Sequence, residues 1–358
     1  MIEELLDRKT PYVLEVGDSA ALLRQLPDNS VDCVITSPPY WQQRVYDDYD
    51  GALTAVIGGE ETPEQYVENL LVILREVKRV LKPTGTLWLN LGDKFHNKCL
   101  MGMPWRVALA MEKEGWILRS DIIWDQMKGT QSCKDRFRDI YEHVFQFVKS
   151  AKYHFDGDSI RIVPEKDAYE KAGEITSATG VTGKKYFAQI AQSTVLTPEE
   201  RQRATDALNQ TLDEMRQGEV VDFRMSIRGE QRAYHSANTR VSGRAKELLD
   251  KGFYIIKMRK KGFLPSNIWR IVPEDIWRKD AHCAVFPEEL LRIPILSTCP
   301  PDGIVLDPFS GTGSTVDAAV RLGRRGIGFD LSNQYTDIAR RRLIKTAAHQ
   351  QLKMDMDT

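Results

Sequence analysis

The sequence predicts an α/β fold: a mostly parallel sheet with helices on both faces, interrupted by an inserted region. Three observations predict it. Short apolar runs alternate with amphipathic stretches over the first 150 residues, the pattern of successive strand–helix–strand units. The alternation fades between residues 164 and 264 and returns after Pro265. Two loops rich in proline or glycine follow directly on apolar runs, at residues 37–40 and 308–313. A chain of 358 residues suits one large α/β domain carrying an insertion. The expected parts are a first half (1–163), the insertion (164–264), a second half (265–350) and a frayed tail (351–358).

The elements follow in order. Residues 12–16 and 31–36 are apolar and short, and read as buried strands. Tyr66, Val67, Leu70, Leu71, Leu74, Val77 and Leu81 recur at helical spacing, and Thr62-Pro63-Glu64-Gln65 supplies a start, so a helix is expected over 63–81. Lys82-Pro83-Thr84-Gly85 should stop it before a strand at 86–91. A helix at 104–114 and strands at 116–124 and 144–148 complete the first half. In the insertion, Thr197-Pro198-Glu199-Glu200 opens an amphipathic helix to about Arg216. In the second half, a helix at 287–297, a strand at 304–306, a helix ending at Leu322, a strand at 326–329 and a helix at 334–346 restore the alternation.

Composition excludes several classes. Formal net charge is −1, so any attraction to phosphate must be local. The five cysteines (Cys33, Cys99, Cys133, Cys283 and Cys299) are odd in number and show no C-x-x-C spacing, which argues against a disulfide framework and a zinc site and fits a reduced cytosol. Residues 1–10 lack the apolar core of a signal peptide, and no run approaches the length of a membrane span. His143, His235 and His282 form no metal constellation and read as structural.

The sharpest motif is Thr36-Ser37-Pro38-Pro39-Tyr40-Trp41 after a buried strand. Two prolines fix two φ angles and remove two N–H donors. The loop therefore presents carbonyls and the Ser37 hydroxyl. An exocyclic amine on cytosine or adenine needs such acceptors, because its lone pair is delocalised into the ring. Bonds from that amine to Ser37 Oγ and the Pro38 carbonyl would aim the lone pair at a methyl donor, and Tyr40 could stack on the base.

The second motif is Asp307-Pro308-Phe309-Ser310-Gly311-Thr312-Gly313-Ser314-Thr315, glycines between a strand and a helix. They let backbone approach a ligand, whose carboxylate end would sit near the helix N-terminus. Asp330 ends the next strand about 20 residues on, the place of an acid that binds a ribose diol. The phosphate-loop pattern with its lysine is absent. A Gly17-Asp18 pair after the first strand is either a plain turn or a partner for an adenine amine. Between Arg224 and Arg270 stand twelve lysines and arginines against three acids, with Tyr234, His235, Phe253, Tyr254 and Phe263 among them. Such a segment suits phosphate contact.

Together these residues resemble the amino-methyltransferases of DNA restriction-modification systems, in the subgroup whose catalytic motif precedes target recognition and whose cofactor motif comes last (the beta order). Gly17-Asp18, Leu26-Pro27-Asp28 and Ser37-Pro38-Pro39-Tyr40 carry the resemblance at the start. Arg79 to Thr86 and Ile122-Ile123-Trp124 continue it, with Arg136, Glu142, His143 and Phe147-Val148-Lys149-Ser150. His282 to Leu290, Asp307 to Thr315 and Asp330 complete it. It implies a Rossmann-like class I methyltransferase sheet with an inserted target-recognition region. It implies S-adenosylmethionine as methyl donor, S-adenosylhomocysteine as product, and duplex DNA with a flipped-out base as substrate. Ser37, Pro38, Pro39 and Tyr40 would be catalytic. Asp18, Thr36, Phe286, Pro287, Asp307, Pro308, Phe309, Gly311, Thr312, Gly313, Ser314 and Asp330 would hold the cofactor. Arg224, Arg228, Arg232, Arg240, Arg244, Lys257, Arg259, Lys260 and Lys261 would meet DNA.

In this family a first-position serine goes mostly with cytosine N4 and an aspartate mostly with adenine N6, so Ser37 favours cytosine. Cytosine C5 chemistry needs a Pro-Cys nucleophile; Cys299-Pro300 is in reverse order and reads as structural. Adenine N6, and more distantly an RNA base or a protein amide, remain as alternatives. The implied setting is a bacterial, archaeal or phage cytoplasm, with a cognate endonuclease as possible partner and a monomer or homodimer as the working form.

Overall fold

Eight strands form the central sheet of a computed structural model that describes residues 2–43, 57–127, 133–171, 173–229, 243–273 and 287–356, with side chains as far as Thr346. Phe286, Arg232, Arg240, Cys283, His235 and His282 lie outside the described residues. The chain divides into two compact units, one formed by Met1–Ile160 with Ser266–Thr358 and the other by Arg161–Pro265.

The first unit begins with α1 (Ile2–Leu6), β1 (Tyr12–Val16), α2 (Ser19–Leu23) and β2 (Val31–Thr36). All six residues of β2 are buried, which is why its sequence is continuously apolar rather than alternating. α3 (Pro63–Val80) opens on a full capping box: Thr62 accepts from the Gln65 N–H while the Gln65 side chain accepts from the Thr62 N–H. Its buried stripe (Tyr66, Leu70, Leu74, Val77) matches the sequence spacing. β3 (Leu81–Leu91) follows without a gap, so Lys82 to Gly85 belong to the strand instead of forming a separate stop. The small hairpin of β4 (Phe95–His96) and β5 (Cys99–Leu100) precedes α4 (Met103–Lys113), β6 (Ile117–Asp125) and β7 (Tyr141–Val148).

The second unit contains β8 (Tyr169–Lys171), β9 (Glu174–Thr176), α5 (Lys184–Gln192), α6 (Pro198–Arg216), β10 (Val220–Ile227), α7 (Gly243–Lys251) and β11 (Phe253–Arg259). It has its own core, in which Ile190, Leu208, Leu212 and Met215 pack on Val220, Phe223 and Met225 of the β10–β11 ribbon. The boundary expected at 164 and 264 therefore differs by three residues at one end and one at the other.

The first unit resumes with β12 (Ile268–Arg270), α8 (Glu288–Thr298), β13 (Ile304–Asp307), α9 (Ser314–Arg321), β14 (Arg325–Asp330) and α10 (Asn333–Met356). α10 runs past Gln350, so the expected frayed tail is helical as far as Met356. The sheet order is β1-β14-β13-β2-β3-β7-β6-β12, and β7 alone runs antiparallel to its neighbours. Successive residues of β2 point to opposite faces: Val34 joins Leu87 and Leu306 in one core, while Cys33 and Ile35 join Trp88 and Leu291 in the other.

This topology positions the site. β13 continues to β14 on one side, while β2 continues to β3 on the other, so the strand order reverses between β13 and β2. The crevice beyond the carboxyl ends of two such strands is where open α/β sheets bind ligands. Among the described residues no helix is long and apolar enough to cross a membrane.

Candidate active site

The two loops singled out in the sequence meet at that crevice. Thr36 ends β2 and Asp307 ends β13, and the Thr36 hydroxyl donates to Asp307 Oδ1 at 2.7 Å across 271 positions of sequence. The Phe309 N–H donates to the same oxygen, and the Thr315 hydroxyl donates to Oδ2 at 2.7 Å. Asp307 is 2% exposed, and burial pushes its carboxyl up to about 6. Sequence reasoning counted Thr36 and Asp307 among the cofactor-binding residues. In the structure their side chains tie the two loops together, and Thr315 joins the clamp. Ser19, at the start of α2, fastens the glycine loop by donating to the Pro308 carbonyl at 2.5 Å.

The glycine loop leads into α9. Gly313 has φ +78°, and a Cβ there would lie 2.7 Å from Ala339 Cβ on α10. Only glycine lets helix and loop pack at that distance without displacement. At Gly311 (φ +50°) a Cβ would meet nothing within 4 Å, so the backbone there borders open space. Asp330 Oδ2 accepts the Gly311 N–H and Oδ1 accepts the Ser332 N–H, both at 2.8 Å. Burial raises its carboxyl above the usual range. Each oxygen keeps a lone pair, which is what a diol's two hydroxyls need. Asp18 caps α2 through Oδ1, which accepts the Ala21 N–H, and remains exposed. Ser314 Oγ accepts from Arg342 and faces α10 rather than the crevice mouth. Thr312 is buried, Phe309 packs partly on the core, and Pro287 caps α8 without a side-chain bond. Open backbone at Gly311, a diol-ready carboxylate at Asp330 and a glycine turn at a helix start fit an adenosyl amino-acid cofactor.

The Ser37 loop forms the other wall. The Ser37 hydroxyl donates to Tyr40 Oη at 3.1 Å, and Tyr40 Oη donates to Glu142 Oε2 at 2.6 Å. Asn90, near the end of β3, donates to Tyr40 Oη at 2.7 Å and to Glu142 Oε2 at 2.6 Å. Gln126 donates to Glu142 Oε1 at 3.0 Å. Tyr66 donates to the Pro39 carbonyl at 3.0 Å, which anchors the loop to α3. Burial and the Glu142 carboxylate together hold the Tyr40 phenol well above its ordinary range, so it stays a neutral donor. A Cβ at Gly92 would lie 2.7 Å from Tyr40 Cε2, so the missing side chain of Gly92 makes room for the ring. Sequence reasoning assigned no role to Asn90, Gly92 or Gln126. Asn90 carried one faint signal, a polar residue at the end of an apolar strand.

Cys33 and Cys299 are fully buried in the second core, where burial pushes the Cys33 thiol up to about 12 and raises that of Cys299. Cys299 precedes β13 and so sits at the opposite sheet edge, unsuited to attack on a base. His143 pairs with Asp121 at 2.9 Å and stacks on Phe145. Among the described residues no group of histidines, cysteines and acids could hold a metal ion.

In the second unit the basic segment is partly neutralised. Lys257 pairs with Glu214 at 2.9 Å and Arg228 with Glu200 at 2.5 Å, both acids coming from α6. Arg224 pairs with Asp222 and Lys260 with Asp167, each at 3.0 Å. Arg228 and Lys257 thus tie β10 and β11 to α6 within the unit. Arg244, Arg259 and Lys261 are exposed and have no ion-pair partner among the described residues.

A sheet of this order with loops so placed is that of the Rossmann-like class I methyltransferases. The structure of the PvuII DNA methyltransferase (cytosine-N4-specific) shares this fold, with a TM-score of 0.56 and 18% identity, covering 93% of this chain and 86% of that one. Residues 31–341 match the DNA methylase family of N6 and N4 methyltransferases. The type II methyltransferase M.SfiI of Streptomyces fimbriatus is 30% identical over 90% of this chain and 89% of its own. The DNA adenine methyltransferase YhdJ of Escherichia coli K12 is 23% identical over 91% of this chain and 81% of its own. This chain belongs to the DNA methylase family. It is an S-adenosylmethionine-dependent DNA methyltransferase.

Proposed function

We propose that the chain methylates the exocyclic N4 amine of cytosine at a specific sequence in duplex DNA, in a restriction-modification or stand-alone modification role. The observation that carries this is the Thr36–Asp307 bond, which sets the Ser37 loop beside the glycine loop on adjacent strand ends. The bound donor supplies a methyl group on a positively charged sulfur. The chain's own contribution is placement: Ser37 Oγ and the Pro38 carbonyl accept the two amine hydrogens and turn the nitrogen lone pair toward the glycine-loop side. Glycine-loop backbone and Asp330 hold the donor's amino-acid and ribose parts. Ser37 in the first motif position supports cytosine. A serine hydroxyl in the place of a carboxylate is the form the resemblance links to N4 chemistry. The second reading is adenine N6, which the similarity to the adenine enzyme favours.

The base must leave the duplex to reach this crevice. The second unit is proposed to recognise the target sequence, with Arg244, Arg259 and Lys261 as phosphate contacts. An endonuclease cutting the same sequence is the partner a restriction setting would require, and the working form is a monomer or homodimer. Transfer of labelled methyl from S-adenosylmethionine to unmethylated duplex DNA tests the proposal. Ser37→Ala should lower turnover about 100-fold, the order seen when one transition-state hydrogen-bond partner is removed, while donor affinity is kept. Equal loss of donor binding would make Ser37 a folding residue instead.

A further inference from the structure

We propose that Glu142 takes up the proton that methyl transfer releases from the target amine, through Tyr40 and Ser37. The idea rests on the amine-methylating reading above, though not on which base carries the amine. Glu142 stands at the start of β7, whose reversed direction brings its first residues to the edge where β2 and β3 end. An ionised carboxylate only accepts hydrogen bonds, and this one accepts from Tyr40, Asn90 and Gln126. The direction of every other bond follows. Tyr40 spends its proton on Glu142, so its oxygen accepts from Ser37 and Asn90. Ser37 spends its proton on Tyr40 and accepts from Asn90 Nδ2 at 3.5 Å, so one lone pair is left as the acceptor for a substrate amine. An acid 105 positions downstream of Ser37 thus fixes the serine as an acceptor.

The same bonds form a path for a proton. The nitrogen lone pair forms the N–C bond as the C–S bond breaks, and the pair from that bond stays on sulfur. The nitrogen then carries a positive charge and an excess proton. That proton passes to Ser37 Oγ, the Ser37 proton to Tyr40 Oη, and the Tyr40 proton to Glu142 Oε2. Serine and tyrosine end neutral as they began, and the carboxylate ends as a carboxylic acid that later returns the proton to water.

Glu142→Gln tests this, because glutamine keeps the size and can still accept the tyrosine bond through its oxygen but cannot take a proton. Single-turnover transfer from tritiated S-adenosylmethionine to unmethylated duplex DNA of mixed sequence should slow about 100-fold, within the usual range for a positioned proton acceptor. Donor affinity, DNA affinity and melting temperature should stay at wild-type values, and Glu142→Asp should recover part of the rate. Tyr40→Phe cuts the same path, so the double variant should lose no more than the slower single variant. A wild-type rate in Glu142→Gln overturns the proposal. So does a loss matched by weaker donor binding or lower melting temperature, and so do losses that multiply in the double variant. If the unaltered chain methylates no DNA, the amine-methylating reading itself fails and this inference fails with it.

Discussion

Asp307 ties two loops together: its carboxylate oxygens accept from Thr36, Phe309 and Thr315. Its place after an apolar strand and before a glycine turn was visible in the sequence. That Thr36, 271 positions earlier, would occupy one of its oxygens was not, because strand adjacency is set by the whole sheet. Asp307→Ala should strand two buried hydroxyls and one N–H, and cost about 3 kcal/mol in denaturant unfolding. Its pH dependence has a definite sign. Burial lifts the folded carboxyl from 3.8 to about 6, so the folded state binds the proton more tightly than the unfolded chain. The stability from this group is fully present below pH 3.8 and is lost as pH rises through 6. Asp307→Asn should abolish that decline, measured by unfolding free energy between about pH 4 and 6; an unchanged slope would place the titration elsewhere. Glu142 was legible only as part of a family block, since nothing local to β7 reveals a partner in the β2 loop.

Elements were more legible than contacts where local chemistry decides them. The capping boxes at Thr62 and Thr197 and the stripes of α3 and α6 follow from side chains three or four positions apart. Gly313 was legible as a turn glycine, but its closeness to Ala339 needed α10 in place. Gly313→Ala should strain the left-handed turn and push α10 outward, costing about 1–3 kcal/mol and weakening donor binding by calorimetry. The basic segment was overcounted because its acids lie outside the window, on α6 and at Asp167. The two groups of cations should separate in experiment. Arg244→Ala with Lys261→Ala should weaken duplex binding and lower the slope of log affinity against log salt by about 0.9 per contact. Lys257→Ala should leave that slope alone and lower the melting temperature, because Glu214 is left half-buried without its partner.

At the scale of the molecule, the alternation of strands and helices was legible, and so was the interruption between its halves. The reversal of β7 was not, because an antiparallel strand between two parallel neighbours reads as an equally apolar run. That reversal brings Glu142 to the site. That the Ser37 loop and the glycine loop share a crevice was expected from their motifs, but that they stand on adjacent strands follows only from β13 pairing with β2. The nucleosides formed in treated DNA test the proposed chemistry most directly. Unmethylated duplex DNA should be incubated with the chain and S-adenosylmethionine carrying a deuterated methyl group, then digested to nucleosides and resolved by mass spectrometry. The predicted product is deuterated N4-methylcytosine, lost in Ser37→Ala. Deuterated N6-methyladenine would contradict the choice of base, and label in 5-methylcytosine, or in no nucleoside at all, would contradict the amine chemistry itself.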